Sequence, residues 1–372
     1  MISQENIDEL PYTDYKKLTF SAQKTADLLG LHVQTVHAVE EDLDIAITRV
    51  ERGSASHRIY SLDDIFKIAW MRREKGKSKG FSRPVTLATY ISKGGTSKTT
   101  SAVNLAIQFN LAGLRTLIID NDPQGDASTM LGYDPDYRAE DLVEKGLPAE
   151  RAVEGHFGHL LELPGMQSMK LDQVIKKPFG EYGPHLIPAE AALEDIDTFL
   201  RLADGSDFRY ALFLEQARSG AIPDCDLSPY DIVIIDNAPT GTMLARNAMV
   251  AADMLICPIR MDKFSFRALA RLDEKLRAFA RAFKRLPEIA AIPSMLIKGR
   301  PRVYACLDEI TRVFPGKMTS PVYMSEDYNK SLELSIPLSL WSPAKKQTQA
   351  TLREVAGEIL ERIRTSVDGG LK

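Results

Sequence analysis

Cysteine is scarce. Cys225, Cys257 and Cys306 are scattered through 372 residues and form no pair with metal-ligand spacing. A zinc or iron–sulfur site within one chain is not expected, and neither is a disulfide framework. No apolar run approaches the length of a membrane span. Residues 1–5 are polar and acidic, without the apolar core of an export signal. These absences make a cytoplasmic protein the expectation. Charge of one sign is missing too. The 47 basic and 51 acidic residues leave a net charge of −4, so any contact with nucleic acid must come from local patches. No internal repeat or low-complexity tract is present. A hydrophobic content of 44% and a charged content of 26% are ordinary for a globular chain. The length suits two or three domains around a large core.

What is present centres on residues 92–100, Ser-Lys-Gly-Gly-Thr-Ser-Lys-Thr-Thr. Residues 85–91 before them are apolar and β-branched and read as a buried strand. Residues 102–107 after them have helical spacing. A strand, a glycine-rich turn and a helix with Lys and Thr at its mouth make a phosphate cradle. Gly94 and Gly95 let backbone N–H groups curl around an anion, and Thr96, Ser97 and Thr100 complete the turn. The helix N-terminus adds its dipole, Lys98 a point charge, and the Thr99 hydroxyl a ligand for Mg²⁺. Both glycine positions of the plain Walker pattern are serine here, Ser92 and Ser97, and Lys93 precedes the glycines. That form resembles the deviant Walker loop of the ParA/MinD class of ATPases.

Two further stretches fit the resemblance. Residues 115–119 read as a second buried strand, ending in Asp120, Asn121, Asp122, Pro123 and Gln124. Carboxylates at the C-terminal end of such a strand lie where open α/β sheets bind ligands. The resemblance implies that Asp120 helps hold the Mg²⁺ water shell and that Asp122 orients or activates the attacking water. Residues 232–235 are an apolar run delivering Asp236, the Walker B position and a candidate metal ligand. Here the chain reads D-N-A-P, where family members commonly have D-x-x-P or D-x-P-P. Residues 252–259 add a strand in which Cys257 reads as packing. Residues 133–180 read as variable surface with short helices.

The first 80 residues read as a separate module. Ser21 caps a helix that Gly30 ends, and a second helix runs from Val33 to about Asp42. Two alternating strands follow around Gly53, and Ser61 opens a further helix through a capping box. Helix, tight turn, helix and basic hairpin make a DNA-reading pattern. Gln34, Thr35 and His37 would face base edges, and Arg49 and Arg58 on the hairpin would face phosphates. The module resembles the N-terminal winged helix-turn-helix of longer plasmid ParA proteins and of the RepA proteins of repABC plasmids. Residues 72–80 are basic and glycine-containing, a linker that also offers itself to phosphate.

Residues 264–285 form a long helix on which Arg267, Arg271 and Lys275 recur every four residues. Such a stripe either tracks a DNA backbone or is a solvated amphipathic face. The last helix carries Leu352, Val355, Ile359, Leu360 and Ile363 on one face and reads as core packing. Glu354, Glu358 and Glu361 on the other face disfavour an anionic membrane.

The expected fold is α/β: a doubly wound, mostly parallel sheet in residues 81–372, with a winged helix-turn-helix in residues 1–80. The resemblance implies an ATPase that takes ATP or ADP with Mg²⁺ and closes as a homodimer. Lys93 would then reach the partner subunit's phosphates and serve catalysis as well as binding. It further implies DNA binding, nucleoid association, a ParB-type centromere-binding partner, no membrane attachment, and repression of its own operon. Three rivals stand beside it: an ATP-modulated transcriptional repressor without a partition role, an electron-transfer ATPase like the nitrogenase iron protein, and a MinD-like membrane ATPase. The scattered cysteines count against the second, and the acidic final helix counts against the third.

Overall fold

The computed structural model describes residues 14–369 apart from 44, 53–54, 92–93, 240 and 262–264. The chain begins with β1 (Thr19–Ser21), α1 (Ala22–Leu29), α2 (Val33–Leu43), β2 (Thr48–Arg52), β3 (Ala55–Ser61) and α3 (Leu62–Glu74). The Ser21 hydroxyl accepts the Lys24 N–H and starts α1. Gly30, at φ +65°, ends it in the left-handed region where a side chain would be strained. The next helix begins after three residues, 30–32. β2 and β3 pair antiparallel with Arg49 opposite Arg58, as the alternation predicts. The capping box at Ser61 and Asp64 is formed, and α3 starts at Leu62, earlier than the apolar spacing suggests. β1, too short for sequence pattern to reveal, adds a third strand beside β3.

The larger part alternates strands and helices: β4 (Val85–Thr89), α4 (Lys98–Leu111), β5 (Thr116–Asn121), α5 (Asp126–Met130), α6 (Ala139–Glu144), α7 (Leu171–Val174) and β6 (His185–Ile187) come first. Then follow α8 (Ile196–Leu202), α9 (Arg209–Arg218), β7 (Ile232–Asn237), α10 (Met243–Ala251), β8 (Met254–Arg260), α11 (Ser265–Phe283) and β9 (Glu288–Ser294). Three helices close the chain: α12 (Pro301–Val313), α13 (Glu326–Glu333) and α14 (Lys346–Asp368). The six strands lie in the order β6-β5-β7-β4-β8-β9, all parallel. The central strands are buried along their whole length, which is why their sequences are unbroken apolar runs rather than alternating ones. Because all six run the same way, the C-terminal ends of β4, β5 and β7 meet at one edge of the sheet.

Residues 133–180 correct the expectation of variable surface. Phe157, Leu160, Leu161, Leu163 and Val174 are buried in the core on the α9–α10 side of the sheet. Phe157 stands edge-on to Tyr210 at 4.8 Å and to Phe213 at 5.2 Å. Gly and charged residues between these anchors mask the pattern. The final helix behaves as expected: Leu352, Val355, Ile359, Leu360 and Ile363 are buried, and α14 lies against α4. Glu354 and Glu358 accept hydrogen bonds from the Ser320 hydroxyl. Among the described residues, no helix is long and apolar enough to cross a membrane.

The N-terminal elements share their core with the sheet. Phe66, Ile65 and Ile68 of α3 are fully buried in the same apolar cluster as Phe109, Leu111, Leu87 and Ile359. Tyr15 packs tilted against Phe179 at 4.7 Å, and its hydroxyl reaches the Met130 and Ser335 carbonyls at 2.9 and 2.6 Å. Arg73 grips the Asp231 carboxylate with two guanidinium nitrogens. A seam this apolar makes one cooperative unit. Phe66→Ala should therefore destabilise the whole chain by about 3–5 kcal/mol. Urea unfolding followed by far-UV circular dichroism and by Trp70 and Trp341 fluorescence checks it. Coincident, shifted transitions are expected; loss of the α3 signal with the Trp341 transition unmoved would contradict it.

Candidate active site

The site is built at the ends of β4, β5 and β7. The β4–α4 loop supplies Gly94, Gly95, Thr96 and Ser97, while Ser92 and Lys93 lie outside the described residues. Gly95 has φ +66° and Ser97 has φ +69°. The second Walker glycine thus stands where the chain needs a positive φ, and serine fills that conformation here at a cost of about 1–2 kcal/mol. The backbone form survives the glycine-to-serine change that hides the loop from a literal motif search. Thr96 is buried, and its carbonyl accepts the Ser294 hydroxyl at 3.3 Å, pinning the loop to the end of β9. α4 begins at Lys98 without a side-chain cap, leaving its first N–H groups turned to the loop. Thr100 gives its carbonyl to Asn104 inside the helix.

Two carboxylates face this loop from neighbouring strands. Asp120 and Asp236 are opposite each other in the β5–β7 register, and both are fully buried. Asp120 accepts the Ser128 N–H at 2.8 Å, the Ser128 hydroxyl at 2.7 Å and the Asp122 N–H at 3.3 Å. Asp236 Oδ1 accepts the Thr89 hydroxyl at 2.8 Å, while its Oδ2 is buried without a hydrogen-bond partner among the described residues. Burial and the neighbouring Asp236 push the Asp120 carboxyl up to about 8. Burial pushes Asp236 to about 6, opposed by hydrogen bonds from Thr99 and Thr89 and by the Lys98 charge. Lys98 is itself buried, which lowers its pKa against the pull of Asp236, Asp122 and Asp126. Asp122 is buried at the mouth and accepts the Gln124 N–H at 3.0 Å.

Sequence reasoning missed the polar frame behind these groups. Thr89 donates to Asp236 and accepts the Asn237 N–H at 2.9 Å. Asn121 donates to Asn237 at 2.7 Å, and the Tyr210 hydroxyl donates to Asn121 at 2.8 Å. One signal was available: the pair Asp-Asn ends both β5 and β7. Ser128 and Tyr210 carried none.

A second cluster, His156, His159 and Glu190, brings three metal-capable groups together, but its tautomers oppose metal binding. His156 Nδ1 accepts the Gly158 N–H at 3.1 Å, and His159 Nδ1 accepts the His156 N–H at 3.1 Å. Each neutral ring then carries its proton on Nε2 and offers no lone pair there.

The residues expected to meet DNA fall in two places. Gln34 is exposed and Thr35 and His37 are half-buried on α2; Arg49 is exposed on β2. Arg58, expected as a phosphate contact, is committed to the buried Glu40 at 3.0 Å, with the His37 ring 3.5 Å away. Tyr60 also donates to Glu40, so Arg58 ties the hairpin to α2. Arg271 and Lys275 are exposed on α11, and the side chain of Arg267 lies outside the described residues. Lys275 leans over the Tyr90 ring at 5.9 Å.

Residues 85–288, more than half of the chain, match the model of a family described as AAA domain. The chain is similar to the chromosome partitioning protein ParA of Caulobacter vibrioides, with 31% identity over 50% of this chain and 60% of that protein. It is also similar to the protein SopA of Escherichia coli, with 29% identity over 68% of this chain and 62% of that protein. The matched part thus spans about 60% of these curated relatives' lengths. Among solved structures, the fold resembles a plasmid partition protein from Borrelia burgdorferi bound to AMPPNP, with TM-score 0.55 and 20% identity. That likeness covers 76% of this chain and 100% of the other. A cobyrinic acid a,c-diamide synthase from Mycobacterium smegmatis, bound to ADP and magnesium, has TM-score 0.55 and 19% identity, covering 76% and 96%. At such identities the likeness is one of fold.

The buried carboxyls predict a pH dependence. Asp120 binds its proton near pH 8 when folded, against an ordinary value of 3.8. The folded state therefore holds more protons than the unfolded chain, and the ligand-free fold loses stability as pH rises between these values. Without nucleotide or metal, the melting midpoint should fall by several degrees from about pH 6 to about pH 8.5. Asp120→Asn should flatten that slope. Scanning fluorimetry across the range decides it, and a wild-type midpoint that climbs with pH would contradict the assignment.

Proposed function

The chain belongs to the AAA domain family through residues 85–288, and from that premise we propose that it is a ParA-type partition ATPase. Its ligands would be ATP or ADP with Mg²⁺. The observation that carries the reading is the unpartnered Asp236 Oδ2, buried beside Thr99 and Lys98 at the mouth of the β4–α4 loop. The Thr99 hydroxyl and the Asp120 and Asp236 carboxylates are hard oxygen donors of the kind Mg²⁺ takes, directly or through water. The AMPPNP of the Borrelia partition protein and the ADP and magnesium of the Mycobacterium synthase support the same ligand class. Bound there, Mg²⁺ would neutralise charge on the phosphates undergoing transfer.

The chain's own groups divide the remaining work. N–H groups of residues 94–100 and the Lys98 ammonium would cradle the phosphates. Asp122, at the mouth, would orient the attacking water and accept its proton. Lys93 would act across a nucleotide-held homodimer, stabilising charge as it develops. Binding energy spent between two subunits would make ATP the switch for dimerisation and DNA binding. The protein would act in the cytoplasm on the nucleoid, stimulated by a ParB-type centromere-binding protein.

We place the division between modules at residues 80–81 and the operator reader in the first of them. Gln34, Thr35 and His37 would supply base choice, Arg49 and Arg58 backbone affinity, and Arg267, Arg271 and Lys275 nonspecific hold. Since Arg58 is paired with Glu40, Arg49 is the freer hairpin cation. The same module would repress the chain's own operon. A repressor whose ATPase only tunes operator affinity is the second reading, favoured by the seating of α3 on α4. Stimulation of turnover by centromere-binding protein plus DNA separates the two.

Asp122→Ala should keep ATP binding and lose hydrolysis at least about 100-fold, because a water-positioning group matters only in the chemical step. Asp236→Ala should instead raise the Mg²⁺ concentration that half-saturates nucleotide binding. Turnover and Mg²⁺ titrations of fluorescent-nucleotide binding check both variants. Identical metal titrations for the two would contradict this division of roles.

A further inference from the structure

A cleft of about 390 Å³ opens on the seam between the N-terminal elements and the sheet, away from the β4–α4 loop. Its charged lining is Arg72 on α3, Lys77 and Lys79 in the connecting segment, and Arg364 on α14, with no carboxylate among the lining residues. Arg72, Lys77 and Lys79 have no ion-pair partner among the described residues. Arg364 has a loose one, Glu361 at 3.5 Å, which is itself largely exposed. Four cations thus converge from three elements in a chain whose net charge is −4.

The surroundings do not balance them. The ends of α1 and α4 border the cleft at Leu29 and at Leu111–Ala112. Each helix C-terminus contributes about half a negative charge, so the two together offset roughly one of the four. Two polar atoms among the lining residues are also unsatisfied: the Ser78 hydroxyl oxygen and Arg364 Nε are buried without a hydrogen-bond partner among the described residues. Such groups are normally paired, and each costs about 1–3 kcal/mol when left so. Three unpaired cations, a fourth held only loosely by Glu361 and by the Lys79 carbonyl at 3.5 Å, and orphaned donors in one recess are what a bound anion would relieve.

We propose that this cleft is a binding site for phosphate groups, distinct from the nucleotide cradle. Arg72 and Arg364 offer planar forks suited to phosphate oxygens, Lys77 and Lys79 offer point charges, and Ser78 offers a short neutral donor. The cleft borders Leu29, just before the turn into α2. The backbone of a duplex lying along α2 is therefore one source of the phosphate, and a free polyphosphate is the other. The site rests on no part of the nucleotide reading.

The test compares the wild-type chain with the Arg72→Gln/Lys79→Gln double variant in two arms. One arm is a salt titration of random-sequence duplex binding. The other is calorimetric titration with inorganic tripolyphosphate. Phosphate binding at the β4–α4 loop is common to both proteins, so the difference reads the cleft. If duplex backbone is the ligand, the variant loses affinity about tenfold or more, and its salt slope shrinks by about two units. If free polyphosphate is the ligand, one tripolyphosphate site disappears and duplex binding is unchanged. Loss in both arms assigns the cleft to either source. The charge-preserving Arg72→Lys/Lys79→Arg variant should restore whichever property was lost, which separates charge from folding damage. ATP turnover should not change in any of these proteins. Duplex and tripolyphosphate binding both equal to wild type would overturn the proposal.

Discussion

Two buried carboxylates side by side are the constraint on which the rest of the structure depends. Asp120 and Asp236 stand opposite each other on β5 and β7, both sealed from water. Two like charges buried this close repel, and burial together with the Asp236 charge pushes the Asp120 carboxyl up. That cost cannot be relieved by moving them, because the β5–β7 register fixes their positions. The fold relieves it in part by protonation and in part by donors: Ser128 on one carboxyl, Thr89 and Thr99 on the other, Lys98 between them and the loop. What remains is the Asp236 oxygen that has no hydrogen-bond partner among the described residues. A parallel sheet brings strand ends together at one edge, and this edge sets two buried carboxyls beside the Lys98 ammonium and the first turn of α4.

The N-terminal elements bear on the same edge by contact. α3 buries Ile65, Phe66 and Ile68 in the core that α4 also faces, and α4 starts at Lys98. The Tyr15 hydroxyl reaches the Met130 carbonyl at the end of α5, the short helix whose Ser128 holds Asp120. A change in the charge state or occupancy of the carboxyl pair therefore has a packed path to α1, α2 and the hairpin. Such a path is a physical route for coupling and not a measured coupling energy. It also means that α3 is not part of a loosely tethered appendage: removing it would strip α4 of apolar cover.

The site was largely legible because its signals are local. An apolar β-branched run followed by two glycines, Lys and Thr fixes strand, turn and helix within about fifteen residues. Asp120 and Asp236 each terminate an unbroken apolar run. The six-stranded sheet followed from the same runs. What escaped depends on partners distant in sequence. Thr89 meets Asn237 across 148 positions, and Tyr210 meets Asn121 across 89, so neither reads as functional by itself. Arg58 looks like a free hairpin cation until Glu40, on the facing helix, is seen to hold it. Residues 133–180 misled because glycine and charge separate large anchors such as Phe157, hiding a core segment behind a surface composition. β1 is three residues long, below what alternation can reveal.

The central claim is that the carboxyl pair holds one proton, chiefly on Asp120, in the free protein and releases it on accepting a metal-bound nucleotide. Calorimetric titration with preformed Mg²⁺–ATP analogue, in buffers of different ionisation enthalpy at about pH 7, counts the protons exchanged. With Asp120 near 8 before binding, about one proton should leave the protein for each analogue bound, and Asp120→Asn should abolish that release. Tight binding with no proton released by the wild-type chain would contradict the account.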